Sequence, residues 1–280
     1  MTFHKKTIQL LISSMDEIQS VPYKVSGRWV FYQLVQKGLL SKSVNDYQRL
    51  RYILSQARKG FYRDPKGRQW NPEILEDSIR ECSFHGELGF SSPYIELDIV
   101  KHQSYYVQVW FEAQAMFQQF VSYAFQPFRV SLIPFRGDSG IPQKWKIAKK
   151  LEKIHKKYGK PIKVLYFGDY DKKGLQIPRS ALKDIKSWCN VPFDFERIGL
   201  SLQQAKKFNI PENPEKPNQY QWEALSDSQA KQLITEALER YLKPIPSEAL
   251  ELEQGLENDI TEFINDTLLE KQSELDKIMR

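Results

Sequence analysis

The chain has 280 residues, 41% of them hydrophobic and 13% aromatic, with a formal net charge of +6 at pH 7. That length and composition support a buried core spread over one or two domains and exclude a disordered chain. No run approaches the roughly 18 apolar residues that cross a bilayer, and two distant cysteines, Cys82 and Cys189, are too few for a disulfide framework or a zinc cage.

A cytoplasmic protein with no membrane partner is therefore expected, and the start "MTFHKKTIQLLISSMDEIQS" reads as a helix, not a cleaved signal. The charge is unevenly spread. Residues 41–70 hold eight Lys or Arg against two acids, and residues 142–160 hold eight lysines against one glutamate. Residues 247–280 reverse this, with ten acidic residues and three basic ones. A basic front and middle point to a polyanion, although solvated helix faces produce the same counts.

In "GRWVFYQLVQKGLL", Val30, Phe31, Leu34 and Val35 follow helical spacing up to Gly38. "SVNDYQRLRYILSQARKG" is a second amphipathic helix, with Arg51, Arg58 and Lys59 on its polar face and a turn-rich "YRDPKGRQWNP" after it. Helix, basic helix and turn are the layout of a winged helix that reads DNA over residues 1–100, a pattern that small helical bundles share. From Tyr105 the pattern changes to strands and helices in alternation. "YYVQVWF", "RVSLIPF", "IKVLYFGD" and "FDFERIGLS" are the strands, and "EAQAMFQQFVSYAF", "PQKWKIAKKLEKIHKKYG" and "LQIPRSALKDIKSWC" the helices between them. This predicts an α/β fold with a mainly parallel, Rossmann-like sheet over residues 104–222. Helices fill residues 223–280 after the loop "NIPENPEKPNQY".

In such sheets the chemistry lies at the carboxyl ends of the strands. Asp169 and Asp171 end the third strand, beside Gly168 and Gly174, and Glu112 ends the first. If those two strands are neighbours, three carboxylates converge, and like charges at close range require a cation. A hard divalent ion with oxygen ligands, Mg²⁺ or Mn²⁺, meets that requirement, and a phosphodiester is the matching substrate. The bland alternative is that the aspartates cap the following helix. Four scattered histidines (His4, His85, His102, His155) have no metal spacing, and no P-loop occurs, so any ATP-driven step needs a partner subunit.

A strand-end glutamate followed by "GDYDKKG" resembles the Toprim fold of topoisomerases, primases and related nucleases. "VWFEAQAMFQQF", "LIPFRGDSG", "LYFGDYDKKGLQIPRS" and "FERIGLSLQQAKKFNIPENPEKP" look like the Toprim region of the topoisomerase VI A subunit, over about Tyr105 to Tyr220. "GRWVFYQLVQKGLL" is similar to the winged-helix motif preceding Toprim in those subunits and in the meiotic double-strand-break transesterases. The same domain order resembles the nuclease subunit of plasmid-restricting SMC-type defence systems. The resemblance implies Tyr32 as a nucleophile with Arg28 as its companion, Glu112, Asp169 and Asp171 around Mg²⁺, double-stranded DNA as partner, and a homodimer. The sequence departs from it in two ways: Ala113 and Gln114 stand where relatives often carry a lysine, and Asp138 where they have an aromatic or small residue.

On a helical wheel Tyr32 lies at the edge of the apolar stripe, a place that suits a tyrosine facing DNA or one packed inside. Arg136 and Arg197 sit near strand ends, where each can contact phosphate or serve as a structural ion-pair partner, and Lys146 and Lys149 lie on the lysine-rich helix expected to grip the DNA backbone. Three readings follow: a tyrosine transesterase, a metal-dependent hydrolytic nuclease, and a DNA-binding protein without turnover.

Overall fold

The computed structural model describes residues 3–71, 74–75, 97–135, 141–213 and 216–279. Three helices open the chain: α1 (Lys5–Gln19), α2 (Gly27–Gln36) and α3 (Val44–Lys59). Small polar side chains start the second and third, as Ser26 Oγ accepts the Trp29 N–H and Ser43 Oγ the Asp46 N–H, both at 3.1 Å. Gly38, at φ +68°, turns the chain after α2 where another residue would be strained. After α3 the chain doubles back, pairing Arg63 with Gln69 in one antiparallel bridge around Gly67.

The α/β part holds a four-stranded, all-parallel sheet: β1 (Tyr106–Phe111), β2 (Ser131–Pro134), β3 (Ile162–Phe167) and β4 (Asp194–Gly199), in the order β2-β1-β3-β4. Every residue of β1 is buried, as is expected of a central parallel strand covered on both faces. Side chains alternate between two cores. Val107, Val109, Phe111, Leu165 and Phe167 join the N-terminal helices in the larger one, whereas Tyr106, Trp110, Val164 and Tyr166 face the other side. There they meet α6 (Ile141–Tyr158) and α7 (Lys172–Trp188), which also touch each other.

Between β1 and β2 the sequence predicts one helix, and the structure has several short ones. A 3-10 turn leads into α4 (Phe117–Phe120), a π turn follows at Val121–Phe125, and α5 (Gln126–Phe128) ends the segment. Pro127 lies just beyond the π turn and has no N–H to extend a regular α ladder. α7 begins at Lys172, three residues earlier than the apolar pattern suggests, because Asp171 caps it. Pro178 sits within α7 without ending it.

After β4 come α8 (Leu202–Lys207), a 3-10 turn at Trp222–Ala224, α9 (Asp227–Glu239) and α10 (Ser247–Ile278). Capping boxes at Ser201/Gln204 and Ser226/Gln229 start α8 and α9. Among the described residues no helix is long and apolar enough to cross a membrane. Arg136, Asp138, Cys82 and His85 lie outside the described residues.

Candidate active site at the strand ends

β1 and β3 are neighbours, with Phe111 opposite Phe167, so Glu112 emerges beside the turn that carries the two aspartates. The Glu112 N–H continues the ladder by donating to Phe167 O at 3.1 Å. Its side chain then turns back across the sheet end, where Oε2 accepts the Asp169 N–H at 3.0 Å. Two glycines make this possible. A Cβ on Gly168 would stand 2.9 Å from Glu112 Oε2, and one on Gly174 would stand 2.8 Å from the same atom.

The two aspartates take different backbone partners. Asp169 Oδ1 accepts the Trp222 N–H at 2.8 Å, and Asp171 Oδ1 caps α7 by accepting the Gly174 N–H at 2.7 Å. Extended pairing of β3 ends at Phe167, and beyond it Tyr170 pairs antiparallel with Tyr220. The capping role that the sequence left open is therefore real for Asp171, yet it uses only one oxygen. The second oxygen of each of the three carboxylates has no hydrogen bond among the described residues.

Electrostatics tie the acids into one unit. Burial pushes the Glu112 carboxyl up, and the Asp171 charge pushes it further against the opposing pull of the Asp169 N–H. Asp169 is held well above the usual carboxylate range by burial and then by Glu112. Such a cluster is short of positive charge. The donor set of three carboxylates, the glycine cradle and the unused oxygens fit a hard divalent cation. In their present conformations, no three His, Cys, Asp or Glu side chains among the described residues already enclose a metal. Holding one there requires the carboxylates to turn their second oxygens inward.

Arg197 places a cation beside this cluster. It reaches over from β4 and donates to the carbonyls of Asp169 at 2.7 Å and Leu200 at 2.5 Å, with a longer 3.4 Å contact to Gly168 O. Burial pulls its guanidinium below the ordinary arginine value, while the charges of Glu112 and Asp169 act the other way. Its Nε and the nearby Tyr166 hydroxyl are both buried with no hydrogen-bond partner among the described residues. Positive charge thus enters from the neighbouring strand, although Ala113 and Gln114 follow the glutamate.

Tyr32 and Arg28 approach the same region from α2. Tyr32 is 2% exposed, and its hydroxyl donates to Gln221 Oε1 at 2.8 Å. Burial raises its phenol well above the ordinary tyrosine value, although the Arg28 charge pulls the other way. Arg28 pairs with Glu223, Nε to Oε2 at 3.8 Å, and its guanidinium lies 5.6 Å from the centre of the Tyr47 ring. Glu223, raised by burial, also accepts from Ser26 Oγ at 2.5 Å. The short segment Gln221–Glu223 therefore links all three: Gln221 to Tyr32, Trp222 to Asp169, and Glu223 to Arg28. The Trp222 ring packs against Phe120 and Phe167, and its Nε1–H donates to Gln119 Oε1 at 2.7 Å. No periodicity in "QYQWEALS" marks these residues, and the only available signal was a tryptophan beside a glutamate just after a proline-rich loop.

The basic candidates separate by engagement. Arg51, Lys59 and Lys146 are exposed, and Arg58 is half-buried. Lys149 is tied down, donating to Glu152 Oε2 at 2.9 Å and Trp188 O at 3.1 Å, with its ammonium over the Trp145 ring. Comparison of the chain with protein-family models, curated proteins and solved structures finds no match in any of the three.

Proposed function

We propose that this chain is a divalent-metal-dependent nuclease that cleaves DNA phosphodiesters by hydrolysis, on a Toprim-like α/β scaffold preceded by a winged-helix-like DNA-binding part. The observation that carries the reading is the convergence of Glu112, Asp169 and Asp171 at neighbouring strand ends, each keeping one unused oxygen. Mg²⁺ or Mn²⁺ held there would polarise the phosphoryl group and stabilise charge on the departing oxygen. Glu112 and Asp169 hold their shared charge in a place where burial makes it costly, so they gain most from a cation. Arg197 keeps the Asp169 turn in place, and exposed Arg51, Lys59 and Lys146 offer positive charge to the DNA backbone.

Water is the nucleophile in this reading, because Tyr32 is buried, donates its proton to a neutral amide, and is pushed away from ionisation. The second reading is tyrosine transesterification as in the topoisomerase VI A subunit, with a separate ATPase subunit for any strand passage. One observation favours it: Gln221, Trp222 and Glu223, three residues in a row, tie Tyr32, Asp169 and Arg28 into one region. A plasmid assay separates the two. Supercoiled DNA with Mg²⁺ is cut by the wild type and by Tyr32→Phe, is not cut by Asp169→Ala, and carries no covalently bound protein. Loss of cutting in Tyr32→Phe, together with protein attached to DNA ends in the wild type, would establish the tyrosine route instead. Cutting by Asp169→Ala at the wild-type rate would remove the metal site from the chemistry. DNA binding that weakens steeply with salt but is never followed by cutting would leave a binding protein without turnover.

A further inference from the structure

Of the six tryptophans, Trp29, Trp70, Trp110 and Trp222 are buried and Trp188 is half-buried, but Trp145 on α6 is 47% exposed. The helix packs on the sheet without it, through Ile147, Ala148 and Leu151. One exposed apolar side chain is ordinary, and what singles this one out is its setting. The Trp188 ring packs against it at 5.7 Å and an interplanar angle of 67°, and the Lys149 ammonium lies 4.6 Å from its centre. Lys149 is itself fixed by Glu152 and by the Trp188 carbonyl. A ring already held in place loses little further freedom when a flat partner stacks on its open surface.

Charge selects that partner. α6 and α7 together carry twelve Lys or Arg and two acids, a net charge of +10. Both acids are engaged within the layer, Asp184 with Lys144 and Glu152 with Lys149. Lys146, Lys153 and Lys156 are exposed and have no ion pair among the described residues. At 100° per residue, Lys153 and Lys156 lie on the same side of α6 as Trp145, about 12 and 16 Å further along its axis. A flat aromatic followed by a row of cations matches a base followed by its phosphates, and it repels a cationic partner. α6 also starts at the sheet end that carries the carboxylates. Gln143 donates to Pro134 O at 3.0 Å, and Pro134 stands opposite Phe111, the residue before Glu112. Paired bases offer only their edges in the grooves of a duplex, so an indole reaches a base face only in an unpaired stretch.

We propose that Trp145 stacks an unpaired base of single-stranded DNA while Lys146, Lys153 and Lys156 follow its phosphates, so that the strand-end site acts on DNA beside a single-stranded stretch. This rests on the nuclease reading and narrows its substrate.

Fluorescence anisotropy in EDTA tests it, because binding is then read without cleavage and the result stands whether or not the plasmid is cut. The probes are a labelled oligothymidylate of about 20 nucleotides, whose bases are free to stack, and a duplex of the same length. Trp145→Ala weakens oligothymidylate binding about five-fold or more, the lower end of the ~1–3 kcal/mol that a stacked base supplies. Trp145→Phe keeps a stacking ring and stays within about two-fold of the wild type, and neither variant changes duplex binding by more than about two-fold. Lys153→Gln/Lys156→Gln lowers the slope of log affinity against log salt by about 1.4, from two phosphates at about 0.7 each. Unchanged far-ultraviolet circular dichroism verifies the fold of each variant. Oligothymidylate binding that survives Trp145→Ala intact overturns the proposal. So does an equal loss on the duplex, which would make the indole a prop for α6. Poly-L-glutamate that binds as tightly as oligothymidylate, and loses as much in Trp145→Ala, would overturn it in favour of an acidic protein partner.

Discussion

Gly174→Ala sets two effects of opposite sign against each other at the centre of the site. Gly174 is the third residue of α7, and helix propensity alone favours alanine there by about 0.8–1 kcal/mol. The tertiary structure opposes this. An alanine Cβ would fall deep inside contact distance of the Asp169 carbonyl oxygen, 3.0 Å from that carbonyl carbon and 2.8 Å from Glu112 Oε2. Two of these three atoms belong to backbone, so the clash is relieved only if the Asp169 peptide moves. That peptide accepts the Arg197 hydrogen bond and, through the Tyr170 N–H, donates to Tyr220 O at 2.8 Å, so moving it weakens both. Overpacking of this kind costs about 1–3 kcal/mol, and each weakened hydrogen bond about 0.5–1.5 kcal/mol. The clash and the weakened hydrogen bonds outweigh the propensity, and the expected net destabilisation is about 1–5 kcal/mol. Urea unfolding followed by tryptophan fluorescence measures it, with Gly255→Ala as the control. Gly255 is also helical, but nothing lies within 4 Å of its Cβ position, so alanine there raises helicity without strain. A Gly174→Ala protein as stable as the wild type, or more so, would refute the tight strand-end cradle described above.

Two further outcomes follow from the same geometry. In EDTA, Asp169→Asn is more stable than the wild type at pH 8. The reason is that the folded-state carboxyls of Asp169 and Glu112 are raised, so their contribution favours folding below the unfolded carboxylate range near pH 4 and is lost as pH rises through the folded values. Thermal unfolding from pH 4.5 to 8 therefore shows the advantage of the variant growing with pH, and an advantage that shrinks with pH would contradict the sign. Arg197→Met leaves the Asp169 and Leu200 carbonyls without their donor and costs roughly 2–4 kcal/mol, which urea unfolding detects; a loss under 1 kcal/mol would mean these contacts are incidental.

The sequence by itself determined the parts of this protein that depend on neighbours along the chain. Apolar runs at strand spacing located β1 to β4, and helical periodicity placed α3 at Val44–Lys59, because burial of a face repeats every two or 3.6 residues. It also put Glu112 and the Asp169–Asp171 pair at strand ends, since a carboxylate cannot continue a run buried on both faces. Local periodicity carries no record of which strands become neighbours or which distant backbone meets a given side chain. Only the tertiary structure set β1 against β3, brought the Trp222 N–H to Asp169, and carried Arg197 across from β4. It decided Tyr32 as well. A helical wheel leaves that residue on the boundary between core and surface, and the position of Gln221, 189 residues further on, makes it core. The carboxylates are legible because burying charge is costly enough to leave a mark at their own positions, whereas Tyr32 is fixed by a partner that closes over it from far along the chain.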